Sequence, residues 1–327
     1  IRIGDWSSDV CSSDLNDNSV ILNKRRETKE EFPMKKLYGV ITAMTTPFTA
    51  DNKVDVAALE AQTEYLIQKG VQCLYPCGTT GEMYLMSAEE RELVAETVVK
   101  KAAGRVTVFI HVGAMDQDET IRLAQHAQKI GADGVGVVTP SYFTVDEKAM
   151  VEYYKTVCAA LPEDFPVYVY VIPQLAHNDV SAETMEKIAA ACKNVVGVKY
   201  SFADMRRIND YLQVRGGNFS VVPGADDLFL PCLACGCDGV VSGCSGPFPE
   251  AFVNVYKAFQ SGDLAAARKA QVEATKLVKV MQFGGDMSIF KNILTFRGVP
   301  GGHMRKPLMD LDEAGVAKLK ETVAPYL

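Results

Sequence analysis

Eight times along this chain a short apolar run gives way to an amphipathic stretch, and that alternation limits the possible folds more than any other feature. The runs are GVITAM (39–44), QCLYPC (72–77), VTVFIHVG (106–113), GVGVVT (134–139), PVYVYVI (166–172), VVGVKYS (195–201), FSVVPG (219–224) and DGVVSG (238–243). Runs this short and this rich in β-branched residues are expected of strands buried on both faces of a parallel sheet. Between them, stretches such as VAALEAQTEYLIQKG and SAEERELVAETVVKKAAG carry helical periodicity and end on glycine, as a helix C′ position favours. Ser87 and Glu90 have the spacing of a capping box at the start of the second helix. Eight βα units across residues 34–262 predict an α/β fold, a (β/α)8 TIM barrel. Residues 263–327 show only helical periodicity and predict a C-terminal helical appendage beside the barrel. A doubly wound open sheet is the alternative, but no G-x-G-x-x-G follows the first strand.

Composition removes several classes of function. The net charge of −7 over 327 residues, without a dense basic cluster after the N-terminal region, argues against nucleic acid or an anionic membrane as partner. No apolar run approaches the roughly 18 residues of a membrane span. Nine cysteines, an odd number scattered through apolar segments, fit reduced core residues of a cytoplasmic protein better than a disulfide framework. Cys232 and Cys235 have C-x-x-C spacing, but no second pair follows, and His111, His126, His177 and His303 are dispersed. No metal site is expected.

Residues 1–33 differ in texture from the remainder. They hold Trp6, the single tryptophan, and show little periodicity. The stretch DWSSDVCSSDL resembles the translation of a sequencing-adapter oligonucleotide. Residues 1–33 are therefore expected to be a non-native segment or a disordered tail, with the native start at Met34.

In a barrel of this kind the active site lies at the C-terminal ends of the strands. Those ends carry Thr45 and Thr46, the CGTTGE segment, His111, TPSY, Tyr170, Lys199, GADD and SGCSG. Lys199 closes an apolar run, and a lysine is almost never buried without a partner. Either it escapes to solvent or the fold uses an amine there. Burial at an apolar mouth disfavours the ammonium, and a neutral lysine attacks a ketone to form a Schiff base. The protonated imine is an electron sink that allows a neighbouring C–C bond to break or form. Tyr170 can shuttle protons, and the hydroxyls and N–H groups of GTTG can receive a carboxylate. His111 is expected to bond its own strand end rather than to react. Asp226 and Asp227 read either as an acidic pair at a helix N-terminus or as part of the site.

Five motifs in order at these strand ends, GTTGE (78–82), TPSYF (139–143), YVIP (170–173), GVKYS (197–201) and GADD (224–227), carry a resemblance. Residues 38–327 resemble the pyruvate-dependent aldolases that comprise dihydrodipicolinate synthases and N-acetylneuraminate lyases. The resemblance implies that Lys199 forms the imine with pyruvate, so that no other cofactor is needed. It also implies that Tyr170 relays protons, that Thr79 joins the relay and that Thr80 binds the pyruvate carboxylate. Tyr142 would be contributed by a neighbouring subunit, implying a homotetramer built as a dimer of dimers. Val171 stands where the family commonly has asparagine.

Leu175 occupies the position at which the synthase branch usually places an arginine for a second carboxylate. HVGA (111–114) and MRKPL (304–308) resemble segments of the lyase branch. In that branch Gly224, Asp226 and Asp227 would hold the sugar polyol, and Ser201 would keep a hydroxyl close to the lysine. Against it, Gly243 replaces a serine, and His177 and Asn178 replace small residues. The expectation is an N-acetylneuraminate lyase, releasing pyruvate and N-acetylmannosamine. The alternatives are a synthase-like enzyme, another 2-keto-3-deoxy sugar acid aldolase, or a barrel that binds ketoacids without catalysis.

Overall fold

The computed structural model describes residues 34–327, and the expectation for residues 1–33, Trp6 and Cys11 included, lies outside them. Eight parallel strands form where the apolar runs predict them: β1 (Gly39–Ala43), β2 (Cys73–Tyr75), β3 (Thr107–His111), β4 (Gly134–Val138), β5 (Val167–Val171), β6 (Val195–Tyr200), β7 (Ser220–Pro223) and β8 (Gly239–Ser242). They pair in the order β7-β6-β5-β4-β3-β2-β1-β8. Across the remaining seam Asp238 N–H donates to Val221 O at 3.1 Å, so the sheet is a nearly closed TIM barrel.

Helices α1 (Val56–Gln68), α2 (Ala88–Ala102), α3 (Gln117–Lys129) and α4 (Glu147–Ala159) follow the first four strands. The short α5 (Pro173–Ala176) and then α6 (Ala182–Ala191) follow β5, and α7 (Met205–Tyr211), α8 (Phe229–Cys235) and α9 (Pro249–Gln260) complete the ring. Asp or Ser caps most of the N-termini, and the Ser87–Glu90 capping box forms as its spacing predicts. Each such cap stabilises its helix by about 1 kcal/mol.

Side chains alternate cleanly between two cores. Val40, Leu74, Val108, Ile110, Val135, Val137 and Val169 face the helices, whereas Ile41, Cys73, Tyr75, Phe109 and Tyr168 fill the barrel interior. The inward positions of β4 include Gly136, where a Cβ would lie 1.7 Å from Tyr75 Oη. A glycine is therefore required for Tyr75 to cross the barrel.

After α9 come α10 (Leu264–Val280), α11 (Met287–Phe296) and α12 (Glu313–Val323). The tail is not purely helical as its periodicity suggests. Between α11 and α12 it runs extended past the barrel mouth, where His303 pairs with Phe48 in an isolated antiparallel bridge. Among the described residues no helix is long and apolar enough to cross a membrane.

Candidate active site

A β-bulge decides where Lys199 points. Val167 pairs with Val195 but Tyr168 pairs with Gly197, so Val196 is an extra residue in β6. Val196 faces the interior with Tyr168 and Phe109, and strict alternation from there would turn Lys199 outward. The bulge resets the phase: Val198 and Tyr200 pack outward against the helices, and Lys199 enters the barrel at 4% exposure. Gly197 makes this possible, because a Cβ there would sit 2.4 Å from Ser220 O and 2.6 Å from Tyr168 Cε1.

Inside, the Lys199 amine lies over two aromatic faces, 3.7 Å from the Tyr170 ring centroid and 4.6 Å from that of Tyr75. Burial pushes its pKa below the ordinary lysine value, while Tyr170 and the Asp226 carboxylate pull it back in part. Lys291 on α11 is buried as deeply, at 1% exposure, but its Nζ donates to Glu82 Oε1 at 2.5 Å and to His303 O at 2.6 Å. Among the described residues no carboxylate lies within ion-pair distance of Lys199. Of the two buried amines, Lys199 is the one free to lose its proton.

Tyr170 Oη lies 3.2 Å from Thr79 Oγ1, so β5 and the loop after β2 meet beside the amine. In that loop Gly81 and Glu82 N–H bond back to Gly78 and Thr79 carbonyls. The N–H groups of Thr79 and Thr80 have no hydrogen-bond acceptor among the described residues. Two adjacent free donors and two hydroxyls can receive a carboxylate. A Cβ at Gly243 would lie 3.3 Å from Thr80 Oγ1 and 3.0 Å from the Phe290 ring, so α11 closes this side of the mouth.

Asp226 and Asp227 open a 3-10 turn after β7. Asp226 Oδ1 is buried without a hydrogen-bond partner, and burial pushes this carboxyl up to about 6, opposed by bonds from Ser242 and Cys244. Gly224 lets Ser201 approach, since a Cβ there would meet Ser201 Oγ at 2.1 Å. Tyr142 stands apart on a loop tip, 73% exposed at φ +73°, with its ring edge-on to Phe143. Leu175 is exposed at the mouth, and Asn178 is a structural clip that donates to Pro140 O and Phe143 O and accepts from Val145 N.

His111 does not bond its own strand end: its Nδ1 pairs with Cys77 O, in the loop after β2, at 2.9 Å, and its ring meets Tyr170 edge-on. Burial, then Arg91 and Lys199, push its pKa well below the ordinary histidine range, so it is neutral. Arg91 was invisible in the sequence. It is 2% exposed and donates to the carbonyls of Gly113 and His111 at 2.9 Å each. Tyr75 was missed too, although an aromatic inside the second apolar run was a usable signal.

The geometry has counterparts among known proteins. The sequence model of the dihydrodipicolinate synthetase family matches residues 36–325. An uncharacterized DapA-like lyase of Halobacterium salinarum is 35% identical over 288 residues, covering 88% of this chain and 93% of the relative. The 4-hydroxy-tetrahydrodipicolinate synthase of Aquifex aeolicus is 34% identical, over 88% of this chain and 97% of its own length. Among solved structures, YagE, a prophage protein of E. coli K12 in complex with pyruvate, superposes with a TM-score of 0.84 at 31% identity, covering 89% of this chain and 99% of that one. The wild-type sialic acid aldolase of Ruminococcus gnavus gives 0.83 at 29%, covering 89% and 97%. Sequence likeness thus runs to DapA-like lyases and synthases, and likeness to sialic acid aldolases enters through structure, which does not bear out the expected lean toward the lyase branch. A barrel that buries one unpaired lysine at its mouth, matched by that family over nearly all of its described length, belongs to the dihydrodipicolinate synthetase family, lyases of the Schiff-base aldolase class.

Proposed function

We propose that this chain is a pyruvate-dependent aldolase that cleaves a 2-keto-3-deoxy sugar acid into pyruvate and a hydroxyaldehyde. The observation that carries the reading is the bulge-aimed, carboxylate-free amine of Lys199 beside the Tyr170–Thr79 pair. Neutral Lys199 Nζ attacks the C2 ketone, and loss of water leaves the protonated imine. The ketoacid carboxylate rests on the Thr79 and Thr80 N–H groups and the Thr80 hydroxyl. Tyr170, coupled to Thr79, takes the proton from the C4 hydroxyl as the C3–C4 bond breaks, and the bonding electrons pass into the imine to give the enamine. Protonation at C3 and hydrolysis release pyruvate and restore the amine.

Leu175 supplies no cation for a second carboxylate, which disfavours aspartate semialdehyde condensation to a dicarboxylic product. Asp226 and Asp227 offer acceptors to hydroxyl groups. Gly243 lacks the hydroxyl that would reach the far end of a nine-carbon sugar acid, and Phe290 fills the space beside it. Shorter sugar acids therefore rank ahead of N-acetylneuraminate. Tyr142, exposed on a loop tip, suits contribution to a neighbouring subunit of a homotetramer; light scattering on the eluting protein tests the assembly.

The deciding experiment is borohydride reduction in the presence of pyruvate. Wild-type protein is expected to gain the mass of one reduced pyruvate adduct at Lys199, and Lys199→Ala none. An adduct that persists in Lys199→Ala removes this lysine from the mechanism. Pyruvate release is then compared for six-carbon 2-keto-3-deoxy acids and N-acetylneuraminate, and pyruvate condensation is assayed with aspartate semialdehyde. Preference for either of the latter two overturns the assignment of the acceptor while leaving the imine chemistry intact.

A further inference from the structure

Three charged residues buried next to the site have no part in this chemistry. Glu82 ends the GTTGE segment at φ +60°, a left-handed conformation that costs a non-glycine residue energy. Its side chain is fully buried. It accepts from Lys291 Nζ at 2.5 Å and from the Arg305 backbone N–H at 2.9 Å. Arg305, in the MRKPL segment, bonds both Glu90 oxygens at 2.5 and 2.8 Å, Leu85 O at 3.0 Å and Asn52 O at 2.5 Å. Both cations also lie over Phe48, with Lys291 Nζ at 4.8 Å and Arg305 Cζ at 4.1 Å from its ring centroid. On the opposite flank Thr46 Oγ1 donates to Gly81 O at 2.9 Å.

A buried ion pair is weak evidence for stability, because desolvating two charges offsets most of their attraction, and its best-attested use is to fix one arrangement. Here the fixed element is the turn that presents Thr79 and Thr80, three and two residues before Glu82. The partners come from 209 and 223 residues away in sequence, on the C-terminal tail. We propose that Glu82, Lys291 and Arg305 form a clamp through which the C-terminal tail holds the Thr79–Thr80 turn in ketoacid-binding geometry, which makes Lys291 a positioning residue. This inference rests on the reading of that turn as the carboxylate site.

The test uses the full chain, Lys291→Met, and the double variant Glu82→Gln/Lys291→Met, which leaves no unpaired buried charge and remains folded if the single variant does not. Pyruvate is titrated in the borohydride assay well below the thermal midpoint of each protein, and hydrogen exchange is followed across residues 78–86. Half-saturation is expected to rise tenfold or more in both variants at an unchanged maximal adduct, with faster exchange confined to 78–86. A double variant that regains thermal stability together with wild-type half-saturation shows a purely structural pair and overturns the clamp. If wild-type protein forms no adduct, the functional reading fails. The exchange data then still decide the clamp: faster exchange confined to 78–86 upholds it, and unchanged exchange sinks it.

Discussion

Replacing Asp226 by asparagine should stabilise the protein at neutral pH, by an amount that disappears in acid. The Asp226 carboxyl has its pKa pushed from 3.8 to about 6, chiefly by burial, and its Oδ1 has no hydrogen-bond partner. A raised carboxyl pKa means that the folded state holds its proton more tightly than the unfolded chain does. The folded state therefore bears the cost of the ionised form in full above the folded pKa, and the cost is gone below the unfolded one. A shift of about two units at roughly 1.4 kcal/mol each gives a penalty of about 3 kcal/mol at pH 7.5 that vanishes near pH 4. Groups with depressed values, such as Glu64 held down by Arg105, push stability the other way, but they are common to both proteins and cancel in the difference. The assay is urea unfolding of wild type and Asp226→Asn at half-unit steps from pH 4 to 7.5. The stability difference should grow in favour of the variant as pH rises from 4 to about 6 and level off above it, by about 2–3 kcal/mol in all. A difference that stays flat across this window, or falls, would refute the assignment of a buried, high-pKa carboxyl. The same variant should lose turnover, since the site retains a costly carboxylate near Lys199 where the proposed acceptor binds.

Tyr170→Phe removes the hydroxyl 3.2 Å from Thr79 but keeps the ring beneath Lys199. It should still form the pyruvate adduct while turnover falls about 10²-fold or more; stopped-flow rates near wild type would exclude the relay. Gly197→Ala drives a Cβ into Ser220 O, a backbone atom that cannot rotate away. Unfolding should become easier by about 1–3 kcal/mol, and adduct formation should slow as Lys199 shifts; a variant with wild-type values in both would show that the bulge does not aim the lysine.

The eight strands could be read in the sequence because each is covered on both faces, so each appears as an uninterrupted apolar run. His111 was legible as a hydrogen bonder, although its partner, Cys77 O, lies in the loop after β2, and Lys199 as the charge that ends one of those runs. The inward aim of Lys199 was not legible. Counting by two from Val196 gives the wrong face, and only the pairing of Tyr168 with Gly197 reveals the extra residue. The clamp was equally hidden, because Glu82 and Lys291 are adjacent in space and 209 residues apart in the chain. The extended path of the tail follows from the same contact, since His303 and Arg305 must run along the mouth to reach Phe48 and Glu82. The lean toward the lyase branch was not borne out for a related reason. HVGA and MRKPL looked like specificity signals, yet Arg305 serves the scaffold and His111 bonds a neighbouring loop, so neither motif need track the aldehyde partner.

Two lysines under 5% exposed in one barrel end show what separates a structural amine from a reactive one. Burial alone does not, because it pulls both pKa values down. Lys291 meets a carboxylate and a carbonyl, so its proton is held by acceptors that removal would leave unpaired. Lys199 meets two ring faces, and a cation over a ring gains only about 0.5–2 kcal/mol. Burial is the largest influence on Lys199, ahead of the opposing Tyr170 hydroxyl and Asp226 charge, so its pKa moves down from the ordinary lysine value. Asp226 moderates this balance through its charge. Since that charge appears only as pH passes about 6, the carboxyl and the amine do not titrate independently. Asp226→Asn should accordingly move the pH at which the adduct forms at half its maximal rate downward, in the direction opposite to its effect on stability at neutral pH. An unchanged midpoint would mean that Asp226 acts on the acceptor alone and leaves the nucleophile untouched.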